Sequence, residues 1–176
     1  MNLSMTSHYR GSGDEDESGA AVGPTAQYIT FTIGGEEYGV DIMAVREIKG
    51  WSETTGLPNS PPYVRGVINL RGIIVPIFDL RARFGLGATQ ATKTHVVIIV
   101  AVQQRTVGIL VDSVSDILTI PASDVRSVPD MDRSIDDAYL EGLVAMGGRM
   151  VAIIALERLF DLKNLPRDKD RIAPVG

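Results

Sequence analysis

Arg65, Asn69 and Arg71 are the side chains of this 176-residue sequence whose types and spacing suit recognition chemistry. They lie in Val64-Arg65-Gly66-Val67-Ile68-Asn69-Leu70-Arg71-Gly72, followed by Ile73-Ile74-Val75-Pro76-Ile77-Phe78-Asp79-Leu80. Two β-branched and aliphatic runs flank Asn69-Leu70-Arg71-Gly72, and a glycine closing a tight connection takes positive φ without a Cβ clash, so the stretch predicts a β-hairpin. Alternation along the first strand puts Arg65, Val67, Asn69 and Arg71 on one face and Val64, Ile68 and Leu70, with Gly66, on the other. Two guanidinium groups and an amide beside an apolar face fit either the solvated side of an antiparallel sheet or a recognition surface with arginine anchors. Pro76 has no ladder donor, which places its strand at an edge or at a bulge.

Bond-making chemistry finds no comparable group. His8 and His95 are far apart and neither belongs to a metal-ligand spacing. No serine stands in a nucleophile elbow, and no glycine-rich loop with a lysine opens a helix. Glu36-Glu37 and Asp136-Asp137 are neighbours in turns or loops, where successive side chains diverge, so neither makes an acid/base couple. There is no cysteine, which removes disulfides and thiolate chemistry and fits a reducing cytoplasm. The chain is therefore read as non-enzymatic, without metal or cofactor.

Charge narrows the partners further. Of the net charge of -5, Asp14, Glu15, Asp16 and Glu17 against Arg10 place most in the first 26 residues, so the remainder is nearly neutral. Without a basic run it lacks the phosphate-neutralising surface that nucleic acid requires. No window approaches the roughly 20 apolar residues of a spanning helix, and the N-terminus has no apolar secretory core. A soluble, unexported protein without membrane insertion is expected.

The elements that must position the hairpin follow in order. Residues 1–26, rich in Ser, Gly and acid, predict a disordered tail. Gln27–Ile33, a Gly34-Gly35 turn and Glu36–Val40 form a hairpin. Asp41 is expected to cap a short helix through Ile48, with Ile42 and Val45 on one side. Gly50–Pro62 is a loop, and Asp79 caps a helix through Phe84 that stops at Gly85 and Gly87. His95–Val102, Arg105–Val111 and Val114–Ile120 predict three strands, with Gln103-Gln104 as a turn. Tyr139–Met146 and Arg149–Ile154 make a last hairpin, and Ala155–Leu162 a closing helix. Residues 163–176 are expected to be flexible.

At an offset of about seventy residues the chain repeats itself. Tyr38-Gly39-Val40 falls on Val107-Gly108-Ile109, and Val45, Glu47 and Ile48 fall on Val114, Asp116 and Ile117. Gly66–Gly72 falls on Gly142–Gly148, Val75 and Ile77 on Val151 and Ile153, and Leu80 and Phe84 on Leu156 and Phe160. Many short strands with close turns favour two small barrels. The expected division is residues 27–92, with a late part of the chain, in one barrel and 93–162 in the other. Asn69 and Arg71 correspond to Ala145 and Gly147, so the shared fold does not demand the polar stripe, which favours recognition.

Between about Gln27 and Leu162 the sequence resembles CheW-type chemotaxis coupling proteins. The likeness rests on Glu37-Tyr38-Gly39-Val40-Asp41-Ile42, Val45-Arg46-Glu47-Ile48, the Arg65–Gly72 hairpin, Val75-Pro76-Ile77, Phe78-Asp79-Leu80-Arg81, Val107–Asp112, Val114–Leu118 and Gly142-Leu143. It implies two SH3-like barrels and no catalysis. It also implies an adaptor, monomeric when isolated, that joins methyl-accepting chemoreceptors to the CheA-type histidine kinase in cytoplasmic arrays at the inner membrane. Carried over by position, receptor contact falls to Ile42, Val45, Glu47, Arg65, Gly66, Asn69, Leu70 and Arg71. Kinase contact falls to Gly108, Ile109, Val114 and Ile117. The same fold in a non-motility pathway, or a small-ligand double barrel, are the rival readings.

Overall fold

A computed structural model describes residues 23–128, 137–160, 165, 167 and 168. The disorder expected of the acidic tail concerns residues 1–22, which lie outside these. Residues 25 and 26 of that expected tail are already strand. Ten strands follow in two five-stranded sheets: β1 (Thr25–Ile33), β2 (Glu36–Asp41), β3 (Val45–Gly50), β4 (Val64–Leu70), β5 (Ile73–Asp79), β6 (Val96–Val102), β7 (Arg105–Val111), β8 (Ser113–Pro121), β9 (Leu140–Met146) and β10 (Arg149–Ile154). Two single-turn helices close the repeats, α1 (Leu80–Arg83) and α2 (Leu156–Leu159).

The internal repeat is realised with an exchange of strands. One sheet runs β8-β1-β2-β10-β9 and the other β3-β6-β7-β5-β4. In each, the first two strands of one repeat lie beside the last three of the other. The barrels therefore do not divide the chain at 92/93: β6 and β7 belong with β3, β4 and β5, while β1 and β2 complete the late strands. The exchange is made by two parallel pairings, Ile153 opposite Gly39 and Ile77 opposite Gly108.

Both faces of the inner strands are covered, which explains the unbroken β-branched runs. In β6, Val97 and Ile99 fill the interior of one barrel with Val75, Ile77 and Leu110. Ile98 and Val100 face the opposite way into a larger core shared by both barrels, where they meet Phe31, Tyr38, Val40, Phe78 and Ile109. Tyr28, Leu118, Ile120, Val144, Val151 and Ile153 fill the other barrel.

Three expectations change. Asp41 does cap a turn, its Oδ1 accepting from the Met43 N–H at 2.9 Å, but the turn is a 3-10 turn of only Ile42–Ala44, and Val45 opens a strand. The short stretch carries period two as well as helical spacing, and β6 supplies the backbone partners that decide between them. Pro76 is on an interior strand between β7 and β4, tolerated because the β7 pairing starts only at Ile77. The tail residues expected to be flexible include Asp168, whose carboxylate accepts from the Thr106 N–H at 2.7 Å and the Thr106 hydroxyl at 2.6 Å.

The close parallel crossing makes a testable demand on Gly108, where an added Cβ would stand 2.6 Å from Ile77 Cδ1 and 2.9 Å from Val97 Cγ1. Gly108→Ala is expected to destabilise the fold by about 1–3 kcal/mol in urea denaturation, with part of the loss recovered in Gly108→Ala/Ile77→Val.

Candidate functional site

The hairpin tip is built by its turn. Arg71 and Gly72 hold φ of 50° and 89°, the pair of positive values that matches strand twist in a two-residue connection. Asn69 Oδ1 accepts from the Gly72 N–H at 2.9 Å and so closes the turn. Arg71 is thereby lifted from the sheet, its side chain 71% exposed, and its Nη2 donates to Glu47 Oε1 on β3 at 2.6 Å. Lys49 stands 3.7 Å from the other oxygen of Glu47. The Arg71 hydrogen bond, more than any other influence, holds the Glu47 carboxyl below its ordinary value of 4.5.

Beside this pair lies a cleft of about 720 Å³. Its walls include Arg46 and Glu47 from β3, Leu70 and Arg71 from the hairpin, Ile73 from β5, the Gln103-Gln104 turn, and Arg167 with Asp168 from the C-terminal segment. Three expected receptor residues, Glu47, Leu70 and Arg71, meet here. Ile42 lines a separate hollow with Tyr28 and Met43, and Val45 packs partly against the shared core.

Arg65 and Gly66 serve the barrel instead. Val64 lies opposite Phe78 and Gly66 opposite Ile77, so Arg65 is the extra residue of a β-bulge. The bulge breaks the expected alternation: Val64 faces the shared core, whereas Ile68 and Leu70 face the barrel interior. The Arg65 side chain is 26% exposed and lies 3.7 Å from the buried carboxylate of Asp79. It donates to the Thr89 carbonyl at 2.8 Å, and its guanidinium covers the Trp51 ring. Asp79 in turn accepts from the Thr89 N–H and hydroxyl at 2.7 and 2.6 Å. At Gly66, φ is 142° and a Cβ would run into the Thr55 carbonyl, so glycine there is a packing requirement.

Among the expected kinase residues, Gly108 and Ile109 are buried on the central strand β7 and have no outward face. Val114 packs partly on the shared core. Ile117, on the edge strand β8, is 53% exposed, and its repeat counterpart Ile48 on the edge strand β3 is 44% exposed. Thr89, Thr106 and Asp168 carry no signal in the sequence, since Thr106 and Asp168 meet across 62 residues and Thr89 reaches Asp79 only once the intervening helix and loop have turned back. The Gln103-Gln104 pair carried a signal, because a two-residue connection imposes positive φ on both members.

Among the described residues no group of three or more His, Asp and Glu is placed to hold a metal, and no helix is long and apolar enough to cross a membrane. The model of the CheW-like domain family matches residues 27–164. The chain is 45% identical over 134 residues to a chemotaxis protein CheW of Rhizobium meliloti, covering 76% of this chain and 86% of that protein. It is 41% identical over 139 residues to the chemotaxis protein CheW of Klebsiella aerogenes, covering 79% and 84%. The crystal structure of the scaffolding protein TtCheW from Thermoanaerobacter tengcongensis has a TM-score of 0.72 at 33% identity, over 79% of this chain and 90% of that one. Two five-stranded sheets with exchanged strands make this a double-barrel protein. The chain belongs to the CheW-like domain family of chemotaxis proteins.

Arg65 and Arg71 should separate cleanly by experiment. Arg65→Ala, which strands the buried Asp79 carboxylate, is expected to cost about 1–3 kcal/mol of stability by chemical denaturation. Arg71→Ala should leave stability nearly unchanged and raise the Glu47 carboxyl pKa in a carbon-13 NMR titration. Since that pKa is lowered in the folded protein, the pair's contribution is complete above the ordinary carboxyl value and disappears as pH falls through the folded one.

Proposed function

We infer that the protein couples the cytoplasmic tips of methyl-accepting chemoreceptors to a CheA-type histidine kinase, so that receptor state controls the kinase. One observation carries the reading: Arg71 and Glu47 form a surface charge pair beside a cleft whose walls include Leu70 and Ile73, while the repeat counterpart of Arg71 is Gly147. Leu70 and Ile73 offer apolar contact and the charge pair offers direction, which suits an amphipathic helical hairpin laid along the cleft. Ile42, in its separate hollow with Tyr28 and Met43, offers a second apolar contact outside the cleft, and Val45 backs β3 from the shared core. Because the polar groups pair with each other, Arg71 with Glu47 and Asp168 with Thr106, the cleft is set up for a surface contact more than for a small ligand.

Kinase contact falls to the β8 flank around Val114 and Ile117, on the opposite sheet from the hairpin. Ile109 belongs to the shared core on which Val114 packs, whereas Gly108 lies at the β5–β7 crossing of the hairpin's own barrel. The working location is the cytoplasmic face of receptor arrays.

Arg71→Glu is expected to weaken binding of a soluble receptor tip fragment by about 1–3 kcal/mol while circular dichroism and thermal unfolding stay as in the wild type. Unchanged capture of the fragment by the folded variant would remove the hairpin from the docking surface.

A further inference from the structure

The two sheets differ where β5 meets β7. In one sheet the parallel pairing runs from Val151 opposite Glu37 to Ile153 opposite Gly39. In the other it starts only at Ile77 opposite Gly108, two residues later. Pro76, which has no N–H to give, stands where the ladder would otherwise continue. Val102 and Arg105 flank the two-residue turn as its closing pair, so the Thr106 N–H points away from β6 and toward the gap.

The C-terminal segment occupies that gap. Besides the two Thr106 bonds to the Asp168 carboxylate, the Asp168 N–H donates to the Gln104 carbonyl at 3.0 Å, and Arg105 Nε donates to the Leu165 carbonyl at 2.7 Å. At the repeat positions of Ile73 and Thr106 the other sheet has Arg149 and Glu37, joined by a 3.1 Å ion pair. The Gln103-Gln104 turn holds φ of 52° and 66° without glycine, where its counterpart is Gly34-Gly35. Backbone strain is thus retained beside the seat of the segment. The segment bounds the cleft without filling it, since about 720 Å³ stays open with Arg167 and Asp168 in place.

We propose that Leu165, Arg167 and Asp168 are a working wall of the docking cleft: the Asp168 clamp on Thr106 holds Arg167 at a rim shared with Arg46 and Arg71, and this cationic lip receives acidic side chains of the helical partner. The proposal rests on the receptor-docking reading above. Glu47 is engaged by Arg71 and Lys49, and the Asp168 carboxylate by Thr106, so neither acid is turned outward to repel such a partner.

The test is titration calorimetry of the full chain against a soluble receptor cytoplasmic tip fragment at low and at moderate salt. Asp168→Ala and Thr106→Val are each expected to weaken binding about five-fold or more, with the double variant no worse than the weaker single one. Arg167→Glu should weaken it to a similar extent, flatten the salt dependence and leave the melting temperature unchanged. Failure of the wild type to bind overturns the receptor reading and the wall with it. Wild-type binding matched by all three variants overturns the wall alone, and so does tighter binding by Asp168→Ala, which would make the segment a plug.

Discussion

Everything in this molecule depends on two places where strands of different repeats pass side by side in parallel. At both, a glycine lets an isoleucine from the neighbouring strand lie over its backbone: Ile153 Cδ1 would be 3.1 Å from a Cβ on Gly39, and Ile77 Cδ1 2.6 Å from one on Gly108. These contacts bring β2 to β10 and β7 to β5, and so lock each half of the chain into the barrel of the other. The shared core follows from that locking, because both sheets are then held with one face toward it. A side chain forced in at Gly39 meets Tyr28, Val151 and Ile153 of one barrel, and one forced in at Gly108 meets Ile77, Val97 and Ile99 of the other.

Symmetry of this kind leaves function to the places where it fails. Arg65, clamped to Asp79, corresponds to Glu141, and Asp79 to Ala155. At Glu141, burial first, then repulsion by Asp41 and Glu157, pushes the carboxyl above the ordinary value, and the nearby Arg158 charge offsets this only in part. Arg71 corresponds to Gly147, and Ile73 to Arg149. The Arg71 and Ile73 differences fall at the cleft and the Arg65 and Asp79 ones inside the barrel, while Phe84 and Phe160, or Tyr63 and Tyr139, keep the central packing alike. Tyr63 and Tyr139 even share one partner, the Arg83 guanidinium, which lies 4.7 Å from both rings.

Much of this was legible in the residues. Period-two alternation marked β1 and β2, the Gly-Gly and Arg-Gly turns marked their hairpins, and self-similarity disclosed two barrels. What was not legible is non-local. The strand exchange leaves no trace in a repeat, which has the same sequence whether its strands pair at home or across. Val45–Ile48 reads as the end of a helix begun at Ile42, because so few residues carry too little pattern to choose a period without knowing that β6 lies alongside. Arg65 was placed on the outward stripe because a bulge shifts register by one, and only the Thr55 and Asp79 contacts reveal it. Gly108 and Ile109 are carried over by position, which takes no account of their burial on the central strand β7.

The antiparallel partner of Tyr28 is Leu118, and β2 lies against a strand that ends at Ile154. On a ribosome adding about 5–20 residues per second, the earliest hairpin therefore waits several seconds for the strands that will flank it. During that interval Phe31, Ile33 and Val40 have no lasting cover. Such late closure of distant contacts slows folding and exposes the nascent chain to self-association. The hairpin that is made first is thus completed only when β8 and β10, made much later, reach it.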